Sequence, residues 1–127
     1  MDVAQALADL REISSQIEAA VLFDSSGSVQ GSTLAEGSAA DALAAAGAAL
    51  LERADAIRGD ESAVTQVEAA LGDGCVFVVR DGDRLIAATS VANPTVGLVF
   101  YDLKSCLRDS QPDDRSAAEP ARKQAEE

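Results

Sequence analysis

Histidine and tryptophan are both absent from this chain of 127 residues. Without histidine no Ser-His-Asp or Cys-His nucleophile can be assembled, and most zinc sites go with it. Lysine occurs only at Lys104 and Lys123, and neither follows a glycine-rich strand-to-helix turn, which excludes a P-loop nucleotide site. The four aromatics, Phe23, Phe77, Phe100 and Tyr101, are too few and too scattered to form a stacking platform for nucleic acid. Cysteine is limited to Cys75 and Cys106 with no CxxC, so two buried reduced thiols are expected, a disulfide or redox pair being the alternative. No apolar run approaches the roughly 18 residues of a membrane span. The alanine-rich stretch 39–51 comes nearest and is broken by Asp41. The opening MDVAQALADLREI is acidic and alternating, unlike a secretory leader, so a cytoplasmic protein is expected.

Positive charge is also scarce. The net charge is −12, and residues 1–109 alone carry 17 acids against 7 bases. Such a field disfavours phosphate backbones and anionic lipid, leaving neither nucleic acid nor membrane as an expected partner. The tripeptides Gly72-Asp73-Gly74 and Asp81-Gly82-Asp83 lack the spaced oxygen donors of a calcium loop and read as hairpin turns. Asp24 with Glu18 or Glu68 is the nearest approach to an acid–base pair, and the abundance of carboxylates accounts for it. Ser25, Ser26 and Ser28 have no activating base. Arg80 and Arg84 are expected to balance Asp81 and Asp83, an anion site being the second choice. No catalytic group, cofactor or metal site is expected, and the chain is read as a non-enzyme.

What is present is a regular alternation of elements. Val3, Leu7, Leu10, Ile13 and Ile17 form one stripe of a first helix. Ala19–Phe23 and Val29 onward read as two short strands joined at Asp24–Ser28, with Gly27 supplying a positive φ. Ser38 with Asp41 suits the start of a long helix running to Arg58 and closing at Gly59. Leu43, Leu50 and Ile57 line one of its faces together with Gly47 and Ala54, while alanines cover much of the rest. Val64–Leu71, Cys75–Arg80 and Leu85–Val91 follow as strands, the last two central. Asn93-Pro94 suits a cap and first turn, and Val96, Val99, Phe100, Leu103, Cys106 and Leu107 form the stripe of a final helix. Tyr101 falls beside that stripe. Residues 1–109 thus make one α/β domain, a sandwich about a five-stranded, mainly antiparallel sheet in the order α-β-β-α-β-β-β-α. Residues 110–127 read as a flexible charged tail.

Two surfaces in this scheme lack an obvious cover: the alanine-rich helix and the Val64–Leu71 strand, which reads as a half-solvated sheet edge. Pairing of two copies through that edge would cover both. Alternatively the sheet and the terminal helices cover enough of a monomer, and alanine is simply common.

The segments ALADLREISSQIEAAVLFDSSGSV, ADALAAAGAALLERADAI, VTQVEAALGDGCVFVVRDGDRLIAATSV and VGLVFYDLKSCL, with Gly97 near the start of the last, resemble the roadblock/LC7 family over residues 3–109. That family includes dynein light chains and bacterial regulators of Ras-like GTPases. The resemblance implies a roadblock/LC7-like, profilin-like sandwich with helices on both faces. It also implies a homodimer whose third strands pair into a continuous sheet beneath packed second helices. Its expected role is a non-catalytic adaptor that binds a small Ras-like GTPase or scaffolds a signalling complex. Carried onto this chain, the dimer interface would include Leu43, Ala46, Leu50 and Ala54 on the helix, and Gln66 and Glu68 at the edge. A small-molecule sensor of PAS or profilin-like type is the competing reading, and it requires a cavity of a few hundred Å³.

Overall fold

The computed structural model describes residues 2–35, 37–58 and 64–110. Its elements are α1 (Val3–Ile13), β1 (Ile17–Asp24), β2 (Val29–Ser32), α2 (Gly37–Arg58), β3 (Gln66–Ala70), β4 (Cys75–Asp81), β5 (Arg84–Ser90) and α3 (Val96–Asp109). All strand pairings are antiparallel, and the sheet order is β2-β1-β5-β4-β3. The expected architecture is therefore the observed one. No helix among the described residues is long and apolar enough to cross a membrane. The tail expected at 110–127 lies, apart from Ser110, outside the described residues.

Strand periodicity divides the core in two. On one face Ala20, Leu22, Phe77, Val79, Ile86 and Ala88 meet the apolar stripes of α1 and α3. The Phe77 ring stands edge-on to Phe100 with centroids 5.0 Å apart, a favoured aromatic geometry that seats α3 on the sheet. On the other face Val21, Phe23, Val78, Leu85 and Ala87 meet Ala40, Ala44 and Leu51 of α2. The central strands β1, β4 and β5 are covered on both sides, which explains their near-continuous apolar sequences.

Helix α2 approaches the sheet at Gly47. A Cβ there would stand 2.9 Å from Ala87 Cβ and 3.2 Å from Val78 Cγ2. Glycine's low helix propensity is tolerated because any larger residue would lift the helix from the sheet. The buried line is consequently Ala40, Ala44, Gly47 and Leu51, while Leu43 and Leu50 are only half-buried and Ile57 is 84 % exposed. The heptad of Leu43, Leu50 and Ile57 thus marks a flank of the helix and not its centre.

Several boundaries differ from expectation for local reasons. Helix α1 stops at Ile13, where the Ser14 amide bonds back to the Leu10 carbonyl, so Ile17 opens β1 and Ile13 is left exposed. The second long helix begins at Gly37, which places Ser38 inside it and Asp41 in its second turn; Gly59 lies outside the described residues. Strand β3 ends at Ala70, and Leu71 is exposed. Asn93 takes a left-handed φ of 56°, so the N-cap of α3 falls on Thr95, whose amide donates to Gln16 Oε1 at 2.6 Å. Gly27 has the expected positive φ, 93°. Its turn is held by Asp24, which accepts from Ser26 Oγ at 2.6 Å and from the Ser26 and Ser28 amides. These bonds, the Ser26 hydroxyl foremost, hold the Asp24 carboxyl below its ordinary range.

The two hairpin arginines do not pair with Asp81 and Asp83. Arg80 reaches Asp55 Oδ1 at 2.8 Å and the Val64 carbonyl at 3.0 Å, and Asp55 accepts the Val64 amide in turn. This clasp joins the end of α2 to the approach of β3 and holds the Asp55 carboxyl below its ordinary range. Arg84 is buried and donates to the Leu107 carbonyl at 2.9 Å and to Ser110 O and Oγ at 3.0 Å. A guanidinium there satisfies terminal carbonyls of α3 and complements the negative end of its dipole. Its Nε finds no partner among the described residues.

Cys75 and Cys106 are both buried and unbridged. The Cys106 thiol packs against the Ala6 carbonyl at 3.5 Å, and its pKa is pushed up to about 11, first by burial and then by the negative charge of Asp109.

Two outcomes follow from this packing. Gly47→Val is expected to destabilise the fold by about 1–3 kcal/mol through overpacking, despite valine's better helix propensity; urea unfolding measures it. In a Cys75→Ser background, Cys106 is expected to react with a disulfide reagent at pH 8 only after denaturant is added. Unfolded, this thiol ionises near its ordinary 9.0; folded, it holds its proton to about 11. Its contribution is therefore undiminished below pH 9.0 and eroded as pH rises from there to about 11, a loss that Cys106→Ala removes from the urea midpoint.

Candidate protein-interaction surface

Strand β3 is one edge of the sheet, and the direction of its backbone bonds follows from its register. Thr65 and Arg80 stand opposite each other, the Arg80 amide donating to the Thr65 carbonyl at 2.8 Å. At the other end the Leu71 amide donates to the Gly74 carbonyl at 2.7 Å. Bonded and non-bonded pairs alternate along an antiparallel ladder, so Thr65, Val67, Ala69 and Leu71 turn their backbone groups toward β4. Gln66, Glu68 and Ala70 turn theirs outward, where nothing pairs with them among the described residues. Side chains alternate likewise: Val67 packs on the α2 side of the sheet, whereas half-buried Gln66 and exposed Glu68 lie on the opposite face. An open edge of this kind is a template for a further strand.

Over the other face runs the uncovered side of α2. Leu43, Ala46, Leu50 and Ala54 succeed one another at three- and four-residue spacings and form one stripe, continued by Ile57. Leu43, Leu50 and Ala54 are half-buried, Ala46 is exposed, and Ala42, Ala45 and Ala49 extend the exposed small-residue surface around the helix. On the opposite flank Ala48, Glu52 and Asp55 line a cleft with Phe23, Asp24 and Leu85. The sequence-derived residues therefore fall into two groups, four on one stripe of α2 and two on the open edge of β3. Alanine on that stripe keeps its relief low, so a second helix can approach it closely.

Two further clefts open between elements on the α1 side. One of about 330 Å³ separates α1 from α3, and one of about 340 Å³ lies between α1 and β2. Both open to solvent at element boundaries. The α1–α3 groove was not anticipated from the sequence. Its signal was Asp102, a carboxylate set within the apolar arc of Val99, Leu103 and Cys106. Among the described residues no group of three or more His, Cys, Asp or Glu side chains is placed to hold a metal ion.

No family model matches the sequence, and no curated protein matches it. Solved structures do match the fold. A Roadblock/LC7 domain from Streptomyces avermitilis superposes with a TM-score of 0.75 at 22 % identity, over 86 % of this chain and 94 % of that one. The gliding protein MglB from Thermus thermophilus gives 0.70 at 16 % identity, over 85 % and 84 % of the two chains. MglB of Myxococcus xanthus gives 0.66 at 16 % identity, over 84 % and 89 %. Superposing on these structures over most of its length, this chain has the Roadblock/LC7 fold.

Proposed function

We propose that the chain is a non-catalytic homodimeric adaptor that binds a small Ras-like GTPase or scaffolds a signalling complex in the bacterial cytoplasm. The observation that carries this reading is the open β3 edge, whose outward backbone groups belong to Gln66, Glu68 and Ala70, beside the uncovered stripe Leu43–Ala46–Leu50–Ala54 of α2. Antiparallel pairing of two β3 strands would satisfy those groups and extend the sheet to ten strands, two sets of the five in each chain. Two α2 helices would then share one face of the joined sheet and bury each other's alanines. The Roadblock/LC7 fold supports the assignment, as does a structure described as MglB with a tetrameric arrangement, 15 % identical with a TM-score of 0.65. A composition without histidine or a phosphate loop agrees with a role in binding. The two clefts of about 330 and 340 Å³ lie at element boundaries on the α1 side and open to solvent, which weighs against a sensor with a ligand enclosed in its core.

Sedimentation at micromolar protein is expected to give a dimer. Glu68→Pro removes an outward N–H and leaves the β3–β4 ladder intact, so it is expected to yield a folded monomer with an unchanged far-UV spectrum. Ala46→Arg, on the exposed stripe, is expected to weaken the dimer at least tenfold. A clean monomer for the parent chain overturns the dimer. For the partner, the parent dimer is expected to retain the Ras-like GTPase encoded nearest its gene, loaded with GDP or with a GTP analogue. Retention in neither state overturns the GTPase assignment.

A further inference from the structure

The groove between α1 and α3 lies on the face of the sheet opposite α2, so it stays open whether or not the chain dimerises through α2 and β3. Its floor is apolar, formed by Ala6, Leu10 and Cys106. Its rim carries Ile13 and Tyr101, which are 71 % and 66 % exposed, large values for residues of this size. Three carboxylates, Asp9, Asp102 and Asp109, line it against one guanidinium, Arg108. Asp9 accepts from Gln5 Nε2 at 2.9 Å, and Asp109 stands 3.7 Å from Arg108 Nε in an exposed pair. Asp102 differs from both. It is only 7 % exposed, it lines the groove, and its carboxylate has no hydrogen bond or ion pair among the described residues. Its oxygens keep contact with solvent at the groove, where an incoming cationic group would pair with them.

We propose that this groove is a docking site for an arginine-bearing amphipathic segment of a protein partner. Three features select that occupant. Carboxylates outnumber the groove's one guanidinium three to one, so the complementary occupant carries positive charge. Exposed Tyr101, which lines the groove with Asp102, offers a ring on which a planar guanidinium would stack. The apolar rim also continues one turn back along α3 to Leu98, half exposed, and Leu98 to Arg108 spans about 15 Å of helix. That length suits several turns of a peptide helix and exceeds a small metabolite. The chain's net charge of −12 adds long-range attraction for such a segment. The site does not depend on the dimer or on the GTPase assignment.

The test uses the full chain and a fluorescein-labelled helical peptide of fourteen residues, with leucine and arginine on one face and alanine and glutamine elsewhere. Saturable binding by anisotropy is expected, with amide shift changes confined to residues 6–13 and 98–109. Replacing the peptide's arginines by citrulline, or Asp102 by Asn in the protein, is expected to weaken binding at least tenfold. Asp41→Asn, an exposed carboxylate on α2, is expected to change it less than twofold. The Glu68→Pro chain is expected to bind as the parent does. Should Asp102→Asn not fold, Tyr101→Ala and Asp9→Asn take its place, each expected to weaken binding at least threefold. Equal affinity for the citrulline peptide, equal loss at Asp41, shifts centred on α2 and β3, or no saturable binding would each overturn the proposal.

Discussion

The depth at which α2 lies on the sheet governs much of this molecule. Ala40, Ala44 and Gly47 let the helix backbone settle onto Phe23, Val78 and Ala87, and Leu51 is the one large side chain in the buried line. A low-lying helix buries only a narrow arc of its circumference. The remaining arc faces away from the sheet, and much of it is alanine. The same constraint that seats the helix thereby creates its uncovered apolar side.

How far this was legible depended on how far apart interacting residues lie in sequence. The strands β1, β4 and β5 and the stripe of α3 follow from local periodicity, and their ends were placed within a few residues. The direction of α2 was harder to read. Small residues occur on both its faces, so the eye follows Leu43, Leu50 and Ile57, whereas the buried line consists of residues too small to stand out. Arg80 and Arg84 invited pairing with their hairpin neighbours Asp81 and Asp83. Their actual partners, Asp55 and the end of α3, lie 25 and 26 residues away, and only the fold brings them close. The family resemblance implies Gln66 and Glu68 as edge residues; the alternation of ladder bonds gives the physical reason why the backbone groups of these two positions face outward.

Polar side chains, one pair partly exposed and one arginine buried, join elements that packing alone leaves loose. The Asp55–Arg80–Val64 clasp ties α2 to the sheet edge, and Arg84 anchors the last turn of α3. Both use charged donors on backbone carbonyls, which are stronger than neutral pairs and fix orientation. Asp102 stands outside this pattern, since nothing described in the chain completes it. A charged residue that serves no internal junction is a reason to look outward from that position.

The alternation along β3 also divides mutational effects. Thr65, Val67 and Ala69 hold the strand to β4, and Val67 packs under α2, so changes there act on folding. The backbone groups of Gln66, Glu68 and Ala70 point away from β4 and pair with nothing among the described residues. Changes at these three positions therefore alter the outward chemistry of the edge while the bonds to β4 stay in place. The residues that present this edge are not those that maintain the fold, so its outward character can change by successive viable steps.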